Sequence, residues 1–278
     1  MGSRTGLEPI HRIAPDLRDA AALVAERGCA LGKPLFVVAS TTSTSDDARA
    51  ASKEGAPHGG TWVAEEQTAG RGRRGHAWVS PAGEGLLFSV IVRPACAPSS
   101  LPPIALLAGL AVYEAVRRAA PDADVRCKWP NDVTVDGRKL AGVLVEAVTV
   151  GARVEAVVVG IGINVHTRVF PPELSDLATS VALVARGAPP DRATLLADTL
   201  ESLDRDLHAV AARGLGLVRS RLESADGLRG RRVRSDAGVE GLASGIDDDG
   251  RLQVRLEDGS IVRWSSGEVH LVPPQRRQ

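Results

Sequence analysis

Residues 125–146 read VRCKWPNDVTVDGRKLAGVLVE. Val125–Trp129 has the composition of a strand. It stops at Pro130-Asn131-Asp132, where proline fixes φ and the short polar side chains stabilise a turn. Lys139 stands at the head of a second strand, Leu140–Glu146. A hairpin joining the two strands sets Lys128, Asp132 and Lys139 near one another. A lone lysine is an ordinary solvated residue, so the interest lies in the three together.

N-terminal to this stretch, Gly70-Arg71-Gly72-Arg73-Arg74-Gly75 alternates glycine with arginine. Glycine lets the backbone turn sharply and approach a ligand. Arginine offers a rigid fork of donors matched to carboxylate and phosphate. The run reads either as a loop that closes over a small anion or as a solvated basic turn. Ser43-Thr44-Ser45-Asp46-Asp47-Ala48 reads first as a helix N-cap. Its hydroxyls and backbone N–H groups also suit a polar ligand head. Gly160-Ile161-Gly162-Ile163-Asn164 is half a dinucleotide fingerprint, but Asn-Val-His follows where a third glycine and a helix belong, so a Rossmann site is rejected. Its glycines either pack structurally or let a flat ligand lie close.

Around these motifs, residues 15–27 read as one amphipathic helix. Leu35–Ala39 reads as a short buried strand. A Ser- or Thr-capped helix follows from Asp46 to Lys53, then a strand at Thr61–Ala64. Further strands are expected at Gly85–Arg93, Val143–Val148 and Ala156–Gly160. Helices are expected at Pro103–Ala119, with Ile104, Leu107, Leu110 and Ala111 on one face, and at Asp191 to about Leu222, with a break at Gly214/Gly216. Strands and helices outside strict βαβ alternation indicate an α+β domain. From Gly227 the texture becomes all-β. Alternating segments at Gly230–Arg234, Glu240–Ile246, Arg251–Leu256 and Ile261–Ser265 are joined by Asp249-Gly250 and Asp258-Gly259 turns, which suggests a small barrel packed on the main domain.

The chain has 278 residues, with 34 Lys+Arg against 34 Asp+Glu. That balance argues against a general polyanion binder, so any basic function is local. Cys29, Cys96 and Cys127 are in no metal-ligand spacing, and read as incidental thiols of a reducing compartment. No stretch reaches the roughly 18 apolar residues of a membrane span, and no signal core opens the chain. A cytoplasmic protein is expected.

In this order and spacing, GRGRRG with Trp78 three residues on, then KWPND, then KLAGVLVE, resembles the biotin protein ligase family. The resemblance covers about residues 36–220, and the C-terminal unit is similar to that family's SH3-like domain. It implies an N-terminal extension at 1–35, a mixed-sheet biotin/lipoate ligase-like catalytic domain at 36–224 and an SH3-like β-barrel at 228–274. It further implies that ATP and biotin, with substrate-bound Mg2+, give biotinyl-5′-AMP. The acyl group then passes to a lysine of a biotin carboxyl carrier domain.

By similarity, Lys139 and Arg73 are the catalytic pair. Ser43, Thr44, Ser45, Gln67, Arg71 and Gly72, with Arg73 and Lys139, hold biotin. Arg74, Gly75, Trp78, Lys128, Asn131, Asp132, Gly162 and Asn164 border the nucleotide, and no residue is implied as a resident metal ligand. The family's Ser-Thr-Asn reads Ser43-Thr44-Ser45 here, and Ser40-Thr41 offers a competing register. Ala141-Gly142 replaces paired glycines after the lysine. Residues 1–35 hold one helix and five basic against four acidic residues, too little for a helix-turn-helix. A ligase without DNA binding is therefore expected, and a homodimer through sheet edges is common in such a family. The alternatives are a lipoate–protein ligase, a biotin-sensing DNA-binding regulator and a catalytically dead binding module.

Overall fold

The computed structural model describes residues 13–93, 101–151 and 153–272; Cys96 and residues 1–12 lie outside them. A seven-stranded mixed sheet forms the main domain, in the order β1-β2-β3-β7-β6-β5-β4. Its strands are β1 (Leu35–Thr41), β2 (Thr61–Gln67), β3 (Gly85–Val92), β4 (Val125–Lys128), β5 (Asp132–Val135), β6 (Arg138–Val150) and β7 (Arg153–Asn164). β1 and β2 run parallel, joined through helix α3 (Thr44–Lys53), and every other pairing is antiparallel. An α+β class is what the mixture of elements implied.

Alternation along β7 explains how the two faces are used. Val157, Val159, Ile161 and Ile163 join the large core, whereas Ala156 and Val158 join a smaller cluster with Ala48 of α3. Successive side chains on a strand point to opposite faces. The large core lies under α4 (Leu101–Ala119) and α6 (Arg192–Arg213), through Leu107, Leu110, Leu195, Leu196 and Leu200. The small cluster lies under α3. Beyond Val158 the α3 face of β7 carries Gly160 and Gly162 before Asn164 ends the strand, so that face is left hollow over the glycines.

Several expectations are corrected. The helix at 15–27 is two short helices, α1 (Pro15–Arg18) and α2 (Ala20–Glu26), broken at Asp19. β1 is a sheet edge rather than a buried strand; Phe36 is 45% exposed and stacks on Trp62. Ser43 occupies the N-cap of α3 but makes no side-chain capping bond. The hairpin over 125–146 is a three-stranded meander, because Asp136 (φ 50°) and Gly137 (φ 79°) turn the chain between β5 and β6. An Asp-Gly pair with positive φ is the usual two-residue hairpin loop. The break at Gly214 is observed: it ends α6, and a 3-10 turn at Leu215–Val218 leads into α7 (Arg219–Ala225). A short α5 (Val181–Val184) precedes α6.

The C-terminal unit contains β8 (Arg232–Ser235), β9 (Glu240–Ile246), β10 (Leu252–Arg255), β11 (Ile261–Trp264) and β12 (Val269–Leu271), ordered β11-β10-β9-β8-β12. β12 went unread in the sequence; with it, the five strands make the small antiparallel unit expected at this end of the chain. Trp129 anchors this unit: it is buried, and its Nε1 donates to Gly250 O at 3.0 Å. The indole beside Lys128 is therefore a packing group.

One buried ion network ties α1, α6 and β2 together. The Arg192 side chain is 1% exposed and pairs with Asp16 Oδ1 and Glu65 Oε2, each at 2.7 Å. Arg192 Nη1 also donates to Gly85 O at 3.2 Å. Burial raises the Asp16 pKa, but hydrogen bonds and attraction from Arg192, with help from His166, outweigh it and bring the carboxyl to about 2. A carboxyl depressed in the folded state stabilises the protein above its unfolded pKa and loses that contribution as pH falls through the folded value. Unfolding free energy is therefore expected to drop by about 2 kcal/mol between about pH 4 and pH 2 on account of Asp16. Urea titrations of wild type and Asp16→Asn across that window check this; equal slopes would refute it.

Candidate active site

The hollow on the α3 face is a cavity of about 290 Å³. Its floor is glycine because the strand register stacks Gly142 against Gly162, while Gly160 sits beside Ser89 and Leu144. Trp78 lies on this floor. A Cβ on Gly162 would fall 2.5 Å from Trp78 Cε2, and one on Gly142 3.1 Å from both Trp78 Cζ3 and Lys139 Cε. Those glycines admit a flat ring where any side chain would collide. The indole thus packs on the sheet, with Lys139 Nζ 5.7 Å from its ring centroid.

One end of the cavity is cationic. β4, β5 and β6 bring Lys128, Asp132 and Lys139 together as the hairpin reading required: Lys128 faces Asp132 in register, and Lys139 Nζ lies 2.7 Å from Asp132 Oδ1. That oxygen is buried, and the Lys139 ammonium is its partner among the described residues. Arg73 reaches over from the glycine–arginine loop, and its Nη1 donates to Asn131 Oδ1 at 2.9 Å. Asn131 Nδ2 in turn donates to Val143 O at 2.8 Å. Arg73 thus rests on a neutral amide. Burial and the adjacent Arg74 push its pKa below the ordinary guanidinium value. An anion in the cavity would relieve both.

The other end is polar and neutral. Ser43, Thr44 and Ser45 line it, whereas Ser40 bonds Glu66 and Thr41 bonds Asp47 outside the cavity. Thr44 donates through N and Oγ1 to Gln67 Oε1, at 2.8 and 3.0 Å. This leaves Gln67 Nε2 without a protein acceptor among the described residues. Ser89, fully buried on β3, bonds the hydroxyls of both Thr44 and Ser45. Sequence reasoning passed over Ser89 because it sits inside an unbroken apolar run; only the register against Gly160 turns it to this face.

Gly72 lines the cavity too, but three expected residues do not. Arg74, with φ 54°, turns away and pairs with Asp236 of the C-terminal unit; Gly75 next to it, at φ 79°, completes that turn. Asn164 is buried at the end of β7, beyond the floor glycines, and its Nδ2 donates to Thr179 O, holding the chain that follows β7. Arg71 lines the wall but is engaged by carboxylates. Its Nη1 and Nη2 donate to Glu146 Oε1 and Oε2 at 2.9 and 2.8 Å, and Nη2 also pairs with Asp46 at 2.8 Å. The C-terminal unit adds Glu268, Val269 and His270, which no motif announced.

A slot with a neutral hydrogen-bonding end and a cationic end, separated by a glycine floor, is built for an elongated anion. Lysines and an arginine around one carboxylate suit the joining of a carboxylate to a phosphate, the chemistry of an adenylate-forming ligase. Comparison with known proteins narrows this class. Residues 36–164 match the Biotin/lipoate A/B protein ligase family, and residues 230–272 the biotin protein ligase C terminal domain. The chain is 36% identical over 246 residues to the bifunctional ligase/repressor BirA of Bacillus spizizenii, covering 87% of this chain and 75% of that one. It is 36% identical to the biotin–[acetyl-CoA-carboxylase] ligase of Mycobacterium tuberculosis, over 86% of this chain and 90% of that one. The structure resembles the biotin protein ligase from Aquifex aeolicus in complex with biotin and ATP, with a TM-score of 0.75 and 29% identity, over 86% of this chain and 99% of that one. The chain belongs to the biotin protein ligase family.

Proposed function

We propose that this cavity activates biotin with ATP and passes it to a lysine of a biotin carboxyl carrier domain. Biotin's carboxylate oxygen attacks the α-phosphorus, the bond to the bridging oxygen breaks, and pyrophosphate leaves with that electron pair. The acceptor amine then attacks the acyl carbon, AMP departs, and the amine's extra proton is lost. The observation that carries this reading is the convergence of Lys139, Arg73 and Lys128 at one end of the slot. Carboxylate and phosphate repel one another, and fixed cations screen that repulsion as charge builds in the transition state.

At the other end, Gln67 Nε2 and the Ser43–Ser45 hydroxyls suit the ureido ring of biotin. A lipoyl dithiolane has no polar group to meet them, and such a mismatch leaves polar groups unpaired. The Asp132 carboxylate, held 2.7 Å from Lys139 Nζ through Oδ1, is a hard oxygen donor of the kind magnesium uses beside substrate phosphates and water. Asp132 would help hold ATP's magnesium, which would supply further positive charge at the phosphates. Among the described residues no helix is long and apolar enough to cross a membrane, and a reaction on ATP and carboxylase carriers belongs in the cytoplasm.

Pyrophosphate release with ATP and magnesium, comparing biotin with lipoate and with or without a carrier domain, tests the reading. Biotin-dependent release followed by a mass gain on the carrier lysine is expected. Release with lipoate alone would overturn the substrate, and release with neither would overturn the activity.

A further inference from the structure

The two arginines that face the cavity from the glycine–arginine loop are held in opposite ways. Arg73 rests on an amide and keeps its charge for a ligand. Arg71 presents both terminal nitrogens to Glu146, in the planar two-bond geometry that makes Arg–carboxylate pairs strong. Glu146 lies on β6, opposite Val158, and so shares the sheet face of the cavity floor. A second cation, Arg49 of α3, also pairs with Glu146, and Asp46 of α3 pairs with Arg71. Two acids and two arginines thus close a charge-balanced group between loop, helix and sheet. The Glu146 side chain is 19% exposed and that of Arg71 34%, so water screens the pair only in part. Burial alone would raise the Glu146 pKa, but the hydrogen bonds from Arg71 and Arg49 prevail and hold it below the ordinary carboxylate range.

We propose that Glu146 is a positioning residue that anchors the stem of the glycine–arginine loop through Arg71, and that Arg71 serves as this anchor rather than as a contact to the reacting carboxylate. Arg71 bridges β6 and α3, and Gly72 separates it from Arg73. Fixing the first arginine therefore sets where the second can reach. Loss of the anchor frees the loop to open, so the adenylate escapes sooner while the charge at Lys139 and Arg73 is unchanged. The part of this that concerns the adenylate rests on the biotin ligase reading; the anchoring itself does not.

The test uses the full chain with Glu146→Gln, Glu146→Asp, Arg71→Ala and the double variant Arg71→Ala/Glu146→Gln. The first readout needs no activity: trypsin cleavage after Arg71, Arg73 and Arg74 in ligand-free protein, below the melting transition. Glu146→Gln is expected to raise the cleavage rate about tenfold, as for a half-buried ion pair with one charge removed. Glu146→Asp, which keeps the carboxylate, restores much of the protection. The second readout is the dissociation rate of biotinyl-5′-AMP. It should rise by a similar factor in Glu146→Gln and Arg71→Ala, and little further in the double variant, because the Arg71–Glu146 pair is lost in both. Unchanged cleavage in Glu146→Gln would overturn the anchor. Additive effects in the double variant would return Arg71 to direct substrate contact. A wild type that makes no adenylate would refute the ligase reading, and the cleavage result would still decide the anchor.

Discussion

Lys139→Ala is expected to lower the rate of adenylate formation by about 10²–10³-fold or more, the usual cost of removing a charge aimed at a transition state. The lysine stands near the start of β6, 2.7 Å from Asp132 and on the glycine floor beside Trp78. Its removal also leaves Asp132 facing the incoming carboxylate and phosphates with one cation fewer, which adds repulsion to lost attraction. The fold should tolerate the change, because the lysine side chain is 40% exposed and makes no core contact through its charge. Single-turnover pyrophosphate release, with a melting curve on the same sample, checks both halves. A folded variant with near-normal release would remove Lys139 from the chemistry and leave Arg73 and Lys128 to account for it.

The largest stability effect is expected at Arg192, away from the cavity. Replacing it with methionine keeps the apolar stem but takes the guanidinium from Asp16, which keeps only His166 at 3.5 Å and the backbone N–H of residue 192, and from Glu65, which is only 4% exposed and keeps only the Ala14 N–H. Breaking a buried ion pair from one side costs about 3–5 kcal/mol, mostly because the stranded charges must be paid for in desolvation. Urea denaturation should register that loss, and Arg192→Met with Glu65→Gln and Asp16→Asn should recover part of it. A loss below about 1 kcal/mol would mean that water or a neighbouring group reaches the carboxylates, and the network would then count as a surface one.

Much of the site is legible in the sequence. KWPND and KLAGVLVE placed Lys128, Asp132 and Lys139 together because a turn and a strand period are local properties of the chain. β5 is hard to see for a similarly local reason: it is only four residues long and lies between two turns, Pro130-Asn131 and Asp136-Gly137. The roles of the loop arginines were not legible. Arg71, Arg73 and Arg74 are alike in sequence and differ only in what lies opposite: Glu146, Asn131 and Asp236, 75, 58 and 162 residues away. Asn164 looked like a strand-end ligand, yet Thr179 takes its amide.

The sequence by itself determined the α+β class, the core face of α4, the all-β C-terminal unit and the meeting of Lys128, Asp132 and Lys139, since each follows from periodicity, turn chemistry or a short motif. The tertiary structure alone decided that Gly142, Gly160 and Gly162 form one floor, that Ser89 joins the polar end, and which arginine is free. Those facts depend on strand register, and register is a relation between distant segments: shifting the β3–β7 pairing by one residue would put Ser89 and the glycines of β7 on opposite faces.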